Sequence, residues 1–438
     1  MIISRRRFSG LVAATALGAT SRAASAAKPR PQFPDGFLWG VATSGHQTEG
    51  DNTASDFWWM EHTKPTLFAE PSGSGTASFE MWPADLDLVR SLGFNTYRFS
   101  LEWSRIEPEE GLFSQSMIAH YRRIIDGCHA RGLAPVVTFN HFSCPRWFAA
   151  RGGWANPSAP DLFARYCAHA ACALASGISH AVTLNEPNLP TILTWIGLPP
   201  ALYADHAAML KAAGKTLGSE TFSAGFMLSR DEHLPMIPIM GAAHRKARAA
   251  IKDVRPDLPV GLSLSVADDQ ATGVSTIRDR KRAEAYEPWF AFTEDDDFIG
   301  VQNYNRTLFD AKGVLPPPKG AVRNDAGMEI HPPSLGGAVR YTHKATGKPV
   351  LVTEHGVGVA DDTIRLPFIV DALEGLRAAV GDGVPVLGYI HWSLLDNYEW
   401  YFGYAQKFGL VSVDRTTFIR TPKPSAFALG AIARNNGN

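Results

Sequence analysis

The sequence contains few cysteines and carries almost no net charge. Four cysteines occur in 438 residues, and the formal charge is −1. Neither a C-x-x-C nor an H-E-x-x-H motif is present, so the common kinds of zinc site are not indicated. The balance of charges gives no broad basic field, which argues against nucleic acid as a partner.

Internal repeats, heptad patterns, low-complexity tracts and interdomain linkers are also missing. A chain of 438 residues would ordinarily suggest two or three domains. The hydrophobic content of 45% and the 11 tryptophans instead fit one large enzyme domain with an extensive core. A (β/α)₈ TIM barrel with long loops accounts for this length as a single unit, which we place at residues 28–438.

The first 27 residues have the features of an export signal. The segment SRRRF (residues 4–8) precedes a short Ala- and Gly-rich apolar run, and Ala24-Ser25-Ala26 forms a small-residue cleavage site. This order predicts a twin-arginine signal peptide, with an ordinary secretory signal or a basic tail as alternatives. Because the apolar run is too short to span a membrane, we expect a periplasmic or secreted protein with no stable membrane anchor.

The cysteines Cys128, Cys144, Cys167 and Cys172 are predicted to be free thiols of the core. A twin-arginine route exports proteins that have already folded. The thiols would therefore be buried before the protein reaches an oxidising compartment, and we do not expect them to form disulfides. Cys167 and Cys172 are five residues apart in a helical stretch and therefore do not stack on one face.

Three β-type runs end in carboxylates, amides and aromatic rings. HAVTLNEPN (180–188) ends at Asn185 and Glu186, PVLVTEHGVG (349–358) ends at Glu354, and VLGYIHWSLLDNYEW (386–400) ends among Trp392, Glu399 and Trp400. A pyranose offers apolar C–H faces to an aromatic ring and a rim of hydroxyls to carboxylates and amides. A sugar site is therefore indicated, against the simpler interpretation of packed tryptophans with capping acids.

Two carboxyl groups at different strand ends suit one chemistry in particular. Glycoside hydrolysis in its usual form needs one carboxyl group to protonate the leaving oxygen and a second to attack the anomeric carbon or to activate water. Glu186 and Glu354 are the candidates.

Several motifs resemble glycoside hydrolase family 1, the retaining β-glucosidase-like enzymes. TLNEP (183–187) is similar to the family's acid/base motif and TEHG (353–356) to its nucleophile motif. The resemblance extends from about Phe33 to Ser425 and includes FLWG (37–40), QTEG (47–50), YRFS (97–100) and FNHF (139–142), in the family's order. It implies a (β/α)₈ barrel that hydrolyses a small-molecule or oligosaccharide β-glycoside and needs no metal or organic cofactor. The oligomeric state is not indicated.

The coarse secondary structure agrees with a βα barrel. Eight β-type segments are predicted at 39–44, 96–100, 135–140, 181–185, 260–266, 298–304, 349–353 and 386–392. Helical stretches between them are predicted at 83–92, 116–131, 161–175, 236–251, 335–346 and 364–380. The candidate catalytic residues are predicted at the C-terminal ends of strands, where (β/α)₈ enzymes carry their active sites.

Chemistry and the resemblance together assign roles. Glu186 would be the acid/base and Glu354 the nucleophile, kept ionised by Arg98 and by a hydrogen bond from Tyr304. Asn185 would reach the sugar 2-hydroxyl. Each of Arg98, His141 and Tyr304 taken alone could instead be structural, as an ion-pair partner, a core histidine or a packed ring. The remaining hydroxyl and ring contacts are assigned to Gln47, His141, Trp392, Glu399 and Trp400.

The sequence also departs from the family pattern. His355 and Gln302 stand where asparagine is usual, and Phe142 stands where tryptophan is common. The stretch 286–297 is short for a loop after the fifth strand, so we expect an open or reshaped leaving-group site. Glu399 would lie near the sugar 6-position and favour unphosphorylated glycosides. The sequence does not name the sugar or the aglycone.

Two alternative functions remain open. The same site could transfer the glycosyl unit to an acceptor other than water. The chain could also be a catalytically silent carbohydrate-binding protein, although such a protein would not be expected to retain both glutamates.

Overall fold

The computed structural model describes residues 31–224, 226, 229–274 and 276–437. The predicted export signal, residues 1–27, lies outside these ranges. From Gln32 onward the chain forms one compact unit. Among the described helices, none is both long and apolar enough to cross a membrane.

Eight parallel strands close into a barrel in sequence order, which confirms the predicted fold class. β1 pairs with β8 from Leu38–Gly388 to Ala42–Trp392 and with β2 on its other side, so the sheet has no free edge. The strands are β1 Leu38–Ala42, β2 Thr96–Ser100, β3 Ala134–Asn140, β4 His180–Asn185, β5 Val260–Ser265, β6 Phe298–Asn303, β7 Val350–His355 and β8 Val386–Trp392. The predictions for β2 and β8 agree to the residue, and the others differ by one or two residues at one or both ends.

Helices surround the barrel and connect successive strands. One prediction was wrong at its start: the helix placed at 83–92 begins at Ser78 and accommodates Pro83 in its second turn, so this proline does not mark the helix boundary. The principal helices are Ser78–Leu92, Gln115–Ala130, Ala159–Leu174, Pro200–Thr216, Met236–Val254, Thr276–Ala285, Ser334–Thr346, Asp362–Gly381 and Pro424–Arg434. Shorter helices include Gly45–Thr48, Leu189–Ile196, Glu287–Phe292 and the 3₁₀ turn Trp400–Phe402.

The apolar core forms two clusters, as expected for a barrel inside a ring of helices. A smaller cluster, formed by strand residues such as Val136, Val182, Leu351 and Ile390, is fully buried. A larger cluster joins the other strand faces to the helices. Because both faces of each strand are covered, β2 and β6 contain only buried residues. This packing holds the C-terminal strand ends rigidly around one opening.

The cysteine prediction was correct for three residues and wrong for one. Cys128, Cys144 and Cys167 are buried and free, whereas Cys172 is free but exposed. Five residues in an α-helix turn the side chain by about 140° away from the starting face. Cys167 therefore faces the core from the helix Ala159–Leu174, while Cys172 faces outward.

The interpretation of residues 286–297 as a short loop after the fifth strand was wrong, and the open or reshaped leaving-group site stays a prediction. Most of this stretch is the helix Glu287–Phe292, and it leads directly into the first residue of β6, Phe298. The residues that precede a barrel strand lie at its N-terminal end, opposite the active-site face. The stretch therefore contributes to the bottom of the barrel.

Candidate active site

The predicted site residues meet at the C-terminal opening of the barrel. Asn185 is the last residue of β4 and Glu186 follows it, while Glu354 is the penultimate residue of β7. Arg98 departs from the prediction of a strand end, because it is the third of five residues in β2. Its long side chain reaches from that lower level to the carboxyl group of Glu354.

Arg98 and Tyr304 hold Glu354 from two sides. Arg98 Nη1 donates to Glu354 Oε1 at 2.5 Å, and the hydroxyl of Tyr304 donates to Oε2 at 2.5 Å. Arg98 is fully buried and is itself oriented by Thr138 Oγ1, which accepts from Nε at 3.1 Å. Both oxygens of Glu354 thus receive a hydrogen bond, and charge-assisted bonds of this kind favour the ionised carboxylate.

Asn185 is fixed by a second set of hydrogen bonds. Its Oδ1 accepts from Arg98 Nη2 at 2.5 Å and from Gln302 Nε2 at 2.6 Å. Its Nδ2 lies 3.3 Å from Nε2 of His141. Burial and the charge of Arg98 lower the pKa of His141 well below its ordinary value, so the imidazole is neutral. Asn185 can therefore present only its amide donor to a bound sugar.

Glu186 occupies an unusual backbone conformation immediately after β4. Its φ is +44°, in the left-handed region that residues with a Cβ seldom adopt, and its amide donates to Ser263 O at 2.8 Å. A backbone of this kind costs of order 1 kcal/mol and occurs where the surrounding structure fixes it. This turn directs the carboxyl group of Glu186 into the barrel opening. A strand that continued past Asn185 would direct it elsewhere.

The two glutamates have different electrostatic surroundings. Burial and the neighbouring charge of Glu354 raise the pKa of Glu186 to about 8. Burial also raises the pKa of Glu354, but Arg98 and the Tyr304 hydroxyl oppose that rise. Two buried carboxyl groups that repel each other cannot both ionise without cost. Because the cation Arg98 stabilises the charge of Glu354, the proton resides on Glu186.

Gln47 and Glu399 form a polar pair at the β1 and β8 side of the opening. Gln47 Nε2 donates to Tyr398 O at 2.7 Å and lies 3.3 Å from Glu399 Oε2. Burial and the charge of Glu354 raise the pKa of Glu399 to about 8, although Gln47 opposes that rise. An adjacent amide and carboxyl group can bind vicinal hydroxyls, and the site thus offers both donors and acceptors.

Aromatic rings pack against His141 in the same site. Trp392 stacks on His141 with 5.5 Å between ring centroids, and Trp400 lies parallel to the same imidazole at 6.3 Å. Phe142 meets Trp400 edge to face at 5.3 Å. This arrangement supplies the apolar faces that the C–H side of a pyranose needs.

Three neighbouring residues were not assigned a role in the sequence. Gln302 was noted only as a departure, yet it bonds to Asn185; its position at the end of β6 was the available signal. His46 stacks on Trp400 at 5.7 Å and pairs with Glu61 at 2.9 Å. Phe226 packs against Phe142 at 4.7 Å, and no sequence signal could have placed a residue from that distant segment here.

The arrangement can carry out proton transfer and nucleophilic attack at one centre. It holds one carboxyl group that favours its proton and one that favours ionisation, with amides and rings around them. Within the described ranges, no group of three or more His, Cys, Asp or Glu residues is arranged to hold a metal ion.

Comparison with known proteins agrees with this geometry. The sequence profile of glycosyl hydrolase family 1 matches residues 30–311 and 245–438. A β-glucosidase from Agrobacterium sp. is 28% identical, with 92% of this chain and 95% of the relative covered. β-Glucosidase A from Thermotoga maritima is 28% identical over 93% of this chain and 98% of the relative.

Solved structures show the same likeness. The apo structure of a β-glucosidase, 1317, superimposes with a TM-score of 0.88 at 42% identity and covers 91% of this chain and 98% of its own. The β-glycosidase BGL167 gives a TM-score of 0.88 at 43% identity, and the match covers 93% of this chain and 98% of that chain. A β-glucosidase from Thermotoga maritima in complex with azafagomine gives a TM-score of 0.81 at 26% identity, and the match covers 93% of this chain and 99% of that chain.

Proposed function

The chain belongs to glycosyl hydrolase family 1, and from that premise we propose that it is an exported β-glycosidase that hydrolyses unphosphorylated β-glucoside-like substrates by double displacement. It is a retaining glycoside hydrolase that acts on O-glycosyl bonds. The covalent intermediate, the roles of individual residues and the export route are our proposals.

Glu354 is the proposed nucleophile. The observation that carries this assignment is the pair of 2.5 Å hydrogen bonds from Arg98 and Tyr304 to its two oxygens. These bonds favour the carboxylate that must attack the anomeric carbon. Attack displaces the leaving oxygen and forms a glycosyl ester on Glu354.

Glu186 is the proposed acid/base. Its raised pKa, about 8, keeps the proton available near neutral pH until the glycosidic oxygen takes it. In the second step Glu186, now ionised, accepts a proton from the water that attacks the ester, and the nucleophile is released. Each step creates positive character at the anomeric carbon.

Asn185 supports the transition state. Its oxygen is occupied by Arg98 and Gln302, so its amide N–H is directed to the sugar 2-hydroxyl. A bond to this hydroxyl strengthens as the oxocarbenium-like transition state forms. Gln47, His141, Trp392, Glu399 and Trp400 are proposed to bind the rest of the sugar.

The stereochemistry of the first product tests this mechanism. Hydrolysis of an aryl β-glucoside by wild-type enzyme, followed by proton NMR in the first minutes, should release the β-anomer because two inversions restore the configuration. An α-anomer as first product would require a single displacement. Added alcohols would reveal the alternative of glycosyl transfer, as alkyl β-glycosides in place of free sugar.

Export by a twin-arginine signal is proposed from the sequence of residues 1–27. Replacement of Arg5 and Arg6 by lysine should leave full-length precursor in the cytoplasm, whereas wild-type protein is cut near Ala26. Export of the double variant through the general secretory machinery would contradict this proposal. The equivalent double replacement of Arg122 and Arg123, which lie in a described helix, serves as the control and should not affect processing.

A further inference from the structure

A buried ion pair contacts one of the rings assigned to the sugar. The side chains of His46 and Glu61 are fully buried, and His46 Nε2 lies 2.9 Å from Glu61 Oε1. On the other side of the imidazole, Nδ1 lies 3.3 Å from Ser55 Oγ, which also accepts from the amide of Trp58. Both ring nitrogens therefore face acceptors, and only the doubly protonated imidazolium can donate to both.

The two charges of this pair stabilise each other against burial. Burial by itself lowers the pKa of His46, but neighbouring carboxyl groups outweigh it, and the pKa lies above the ordinary 6.5. These groups are Glu61, Glu102 and Asp56. Burial by itself raises the pKa of Glu61, but His46 and the two hydrogen bonds from Ser72 bring it below its ordinary value. The directions for both partners thus agree with an ion pair.

The imidazole of His46 stacks on the indole of Trp400. The ring centroids are 5.7 Å apart, and the planes differ by 5°. Trp400 is also parallel to His141, within 13° at 6.3 Å, and burial together with Arg98 keeps that second imidazole neutral. Because a cation is attracted to the face of an indole ring, His46 interacts with Trp400 more strongly than a neutral ring would.

Trp400 depends on such contacts for its orientation. Its φ is +48°, in the left-handed region, and it begins the 3₁₀ turn Trp400–Phe402. Within the described part of the chain, its indole N–H makes no hydrogen bond. Ring packing therefore orients the indole, through His46 and through Phe57 at 4.6 Å and Phe142 at 5.3 Å.

The backbone that carries His46 is fixed to the barrel. His46 lies on the short helix Gly45–Thr48, whose first amide donates to Ser100 Oγ at 2.8 Å at the end of β2. The amide of His46 donates to Glu102 Oε1 at 3.0 Å. A ring whose backbone and both nitrogens are held in this way can fix the orientation of a second ring that packs against it.

We propose that His46 is a positioning residue. Its ion pair with Glu61 holds the imidazole against Trp400, and the imidazole fixes the indole in the orientation that contacts the sugar. His46 is 1% exposed, so it acts through Trp400 and does not touch the substrate. This inference rests on the proposed function, which assigns Trp400 to the sugar.

The variant His46→Gln tests the proposal. Glutamine can still donate to Glu61, but it has neither the ring nor the charge. A ring contact to the sugar is made in the bound substrate as well as in the transition state, so its loss acts mainly on binding. We expect KM for 4-nitrophenyl β-glucoside and the Kd of glucose, measured by calorimetry, to rise about fivefold with kcat within about twofold. Unchanged KM and Kd would overturn the inference.

His120→Gln is the matched control. His120 is also buried and stacks on an aromatic ring, Phe79, at 3.9 Å, but it lies on the helix Gln115–Ala130 outside the barrel. This variant should keep the wild-type KM and Kd even where thermal unfolding shows a loss of stability. A similar rise in both variants would indicate a general effect of removing a buried ring and would contradict the positioning role.

A double-mutant cycle identifies the ring through which His46 acts. Trp400→Leu removes the indole and should itself weaken glucose binding. In that background His46→Gln should change the Kd by less than about twofold, because the ring that it orients is absent. A further fivefold rise would show that His46 acts by another route and would contradict the proposal.

Glu61→Gln provides a second test if His46→Gln does not give folded protein. The amide oxygen can still accept from His46 Nε2, but the anion is removed, so the cation on Trp400 is weakened. The Kd of glucose should rise about two- to threefold. A wild-type Kd in this variant would contradict the role of the ion pair.

Binding and hydrolysis together separate this inference from the proposed function. If wild-type protein binds glucose but hydrolyses no β-glycoside, the proposed function fails, and the Kd values of the variants still decide the role of His46. If wild-type protein hydrolyses 4-nitrophenyl β-glucoside and His46→Gln binds glucose equally well, only the positioning role is contradicted. If wild-type protein does neither, both fail.

Discussion

Gln302 Nε2 donates to Asn185 Oδ1 at 2.6 Å. That oxygen also accepts from Arg98, so its two lone pairs are used and the amide cannot flip without losing both bonds. Gln302 is held in turn by Ser263 Oγ, 2.9 Å from the same nitrogen. The side chain that departs from the family pattern therefore positions the residue proposed to bind the sugar 2-hydroxyl.

Gln302→Met should lower kcat more than it raises KM. The substitution keeps the volume but removes one hydrogen bond to Asn185, which costs about 1–1.5 kcal/mol, and the affected contact acts mainly in the transition state. We expect kcat to fall roughly tenfold with KM within about twofold, measured with an aryl β-glucoside. Gln270→Met, on the outer strand Asp268–Ala271, should leave both constants unchanged. A tenfold rise in KM with kcat unchanged would instead indicate that Gln302 acts in ground-state binding.

Some features of the fold and of the site could be predicted from the sequence, and others could not. The strands and the two glutamates were predictable because β-branched apolar runs stop at short polar motifs. Arg98 and Gln302 could be identified in the sequence, but their hydrogen-bond partners could not. Those partners depend on strand register, which places β2 beside β3 and across the barrel from β7. Phe226 lies in a connection between helices, where no periodicity exists and only tertiary packing places its ring on Phe142.

His355 should make the protein less stable in acid. Burial lowers its pKa from the ordinary 6.5 to about 3, and its Nδ1 lies 2.9 Å from the hydroxyl of Tyr389. A histidine with a depressed folded-state pKa contributes stability above pH 6.5 and loses it as the pH falls toward 3, because the unfolded chain binds the proton first. Between pH 8 and pH 5 this loss is about 2 kcal/mol.

The variant His355→Asn isolates that contribution. Urea unfolding at the two pH values should show that its stability falls by about 2 kcal/mol less than that of wild-type protein. His62→Asn, at an exposed histidine of the helix Asp56–His62, should retain the wild-type pH dependence. If His355→Asn loses as much stability between pH 8 and pH 5 as wild-type protein does, the buried imidazole is not the cause of the acid sensitivity.

Glycosides should be preferred over their 6-phosphates. Glu399 lies beside Gln47, and burial together with Glu354 raises the pKa of Glu399 to about 8. Above that pH the ionised carboxylate would repel a phosphate group at close range by several kcal/mol. The ratio of kcat/KM for an aryl β-glucoside and its 6-phosphate should exceed about 100 at pH 9, where Glu399 is ionised, and should be lower at pH 7, where most of Glu399 is protonated. Comparable values for the two substrates would show that Glu399 does not exclude phosphate.

The last prediction separates the two glutamates by chemical rescue. Glu354→Ala removes the proposed nucleophile, so turnover of every glycoside should fall below detection. Azide should then attack the anomeric carbon of a 2,4-dinitrophenyl β-glucoside directly and give an α-glycosyl azide. Glu186→Ala should still form the glycosyl ester with this substrate, because its leaving group needs no protonation, and hydrolysis of the ester should be slow. Azide should restore turnover by attacking the ester and giving a β-glycosyl azide. Glu70→Ala, at an exposed glutamate, should hydrolyse the substrate as wild-type enzyme does and form no azide product above the wild-type level. NMR of the two azides decides the assignment, since exchanged configurations would exchange the roles of Glu186 and Glu354.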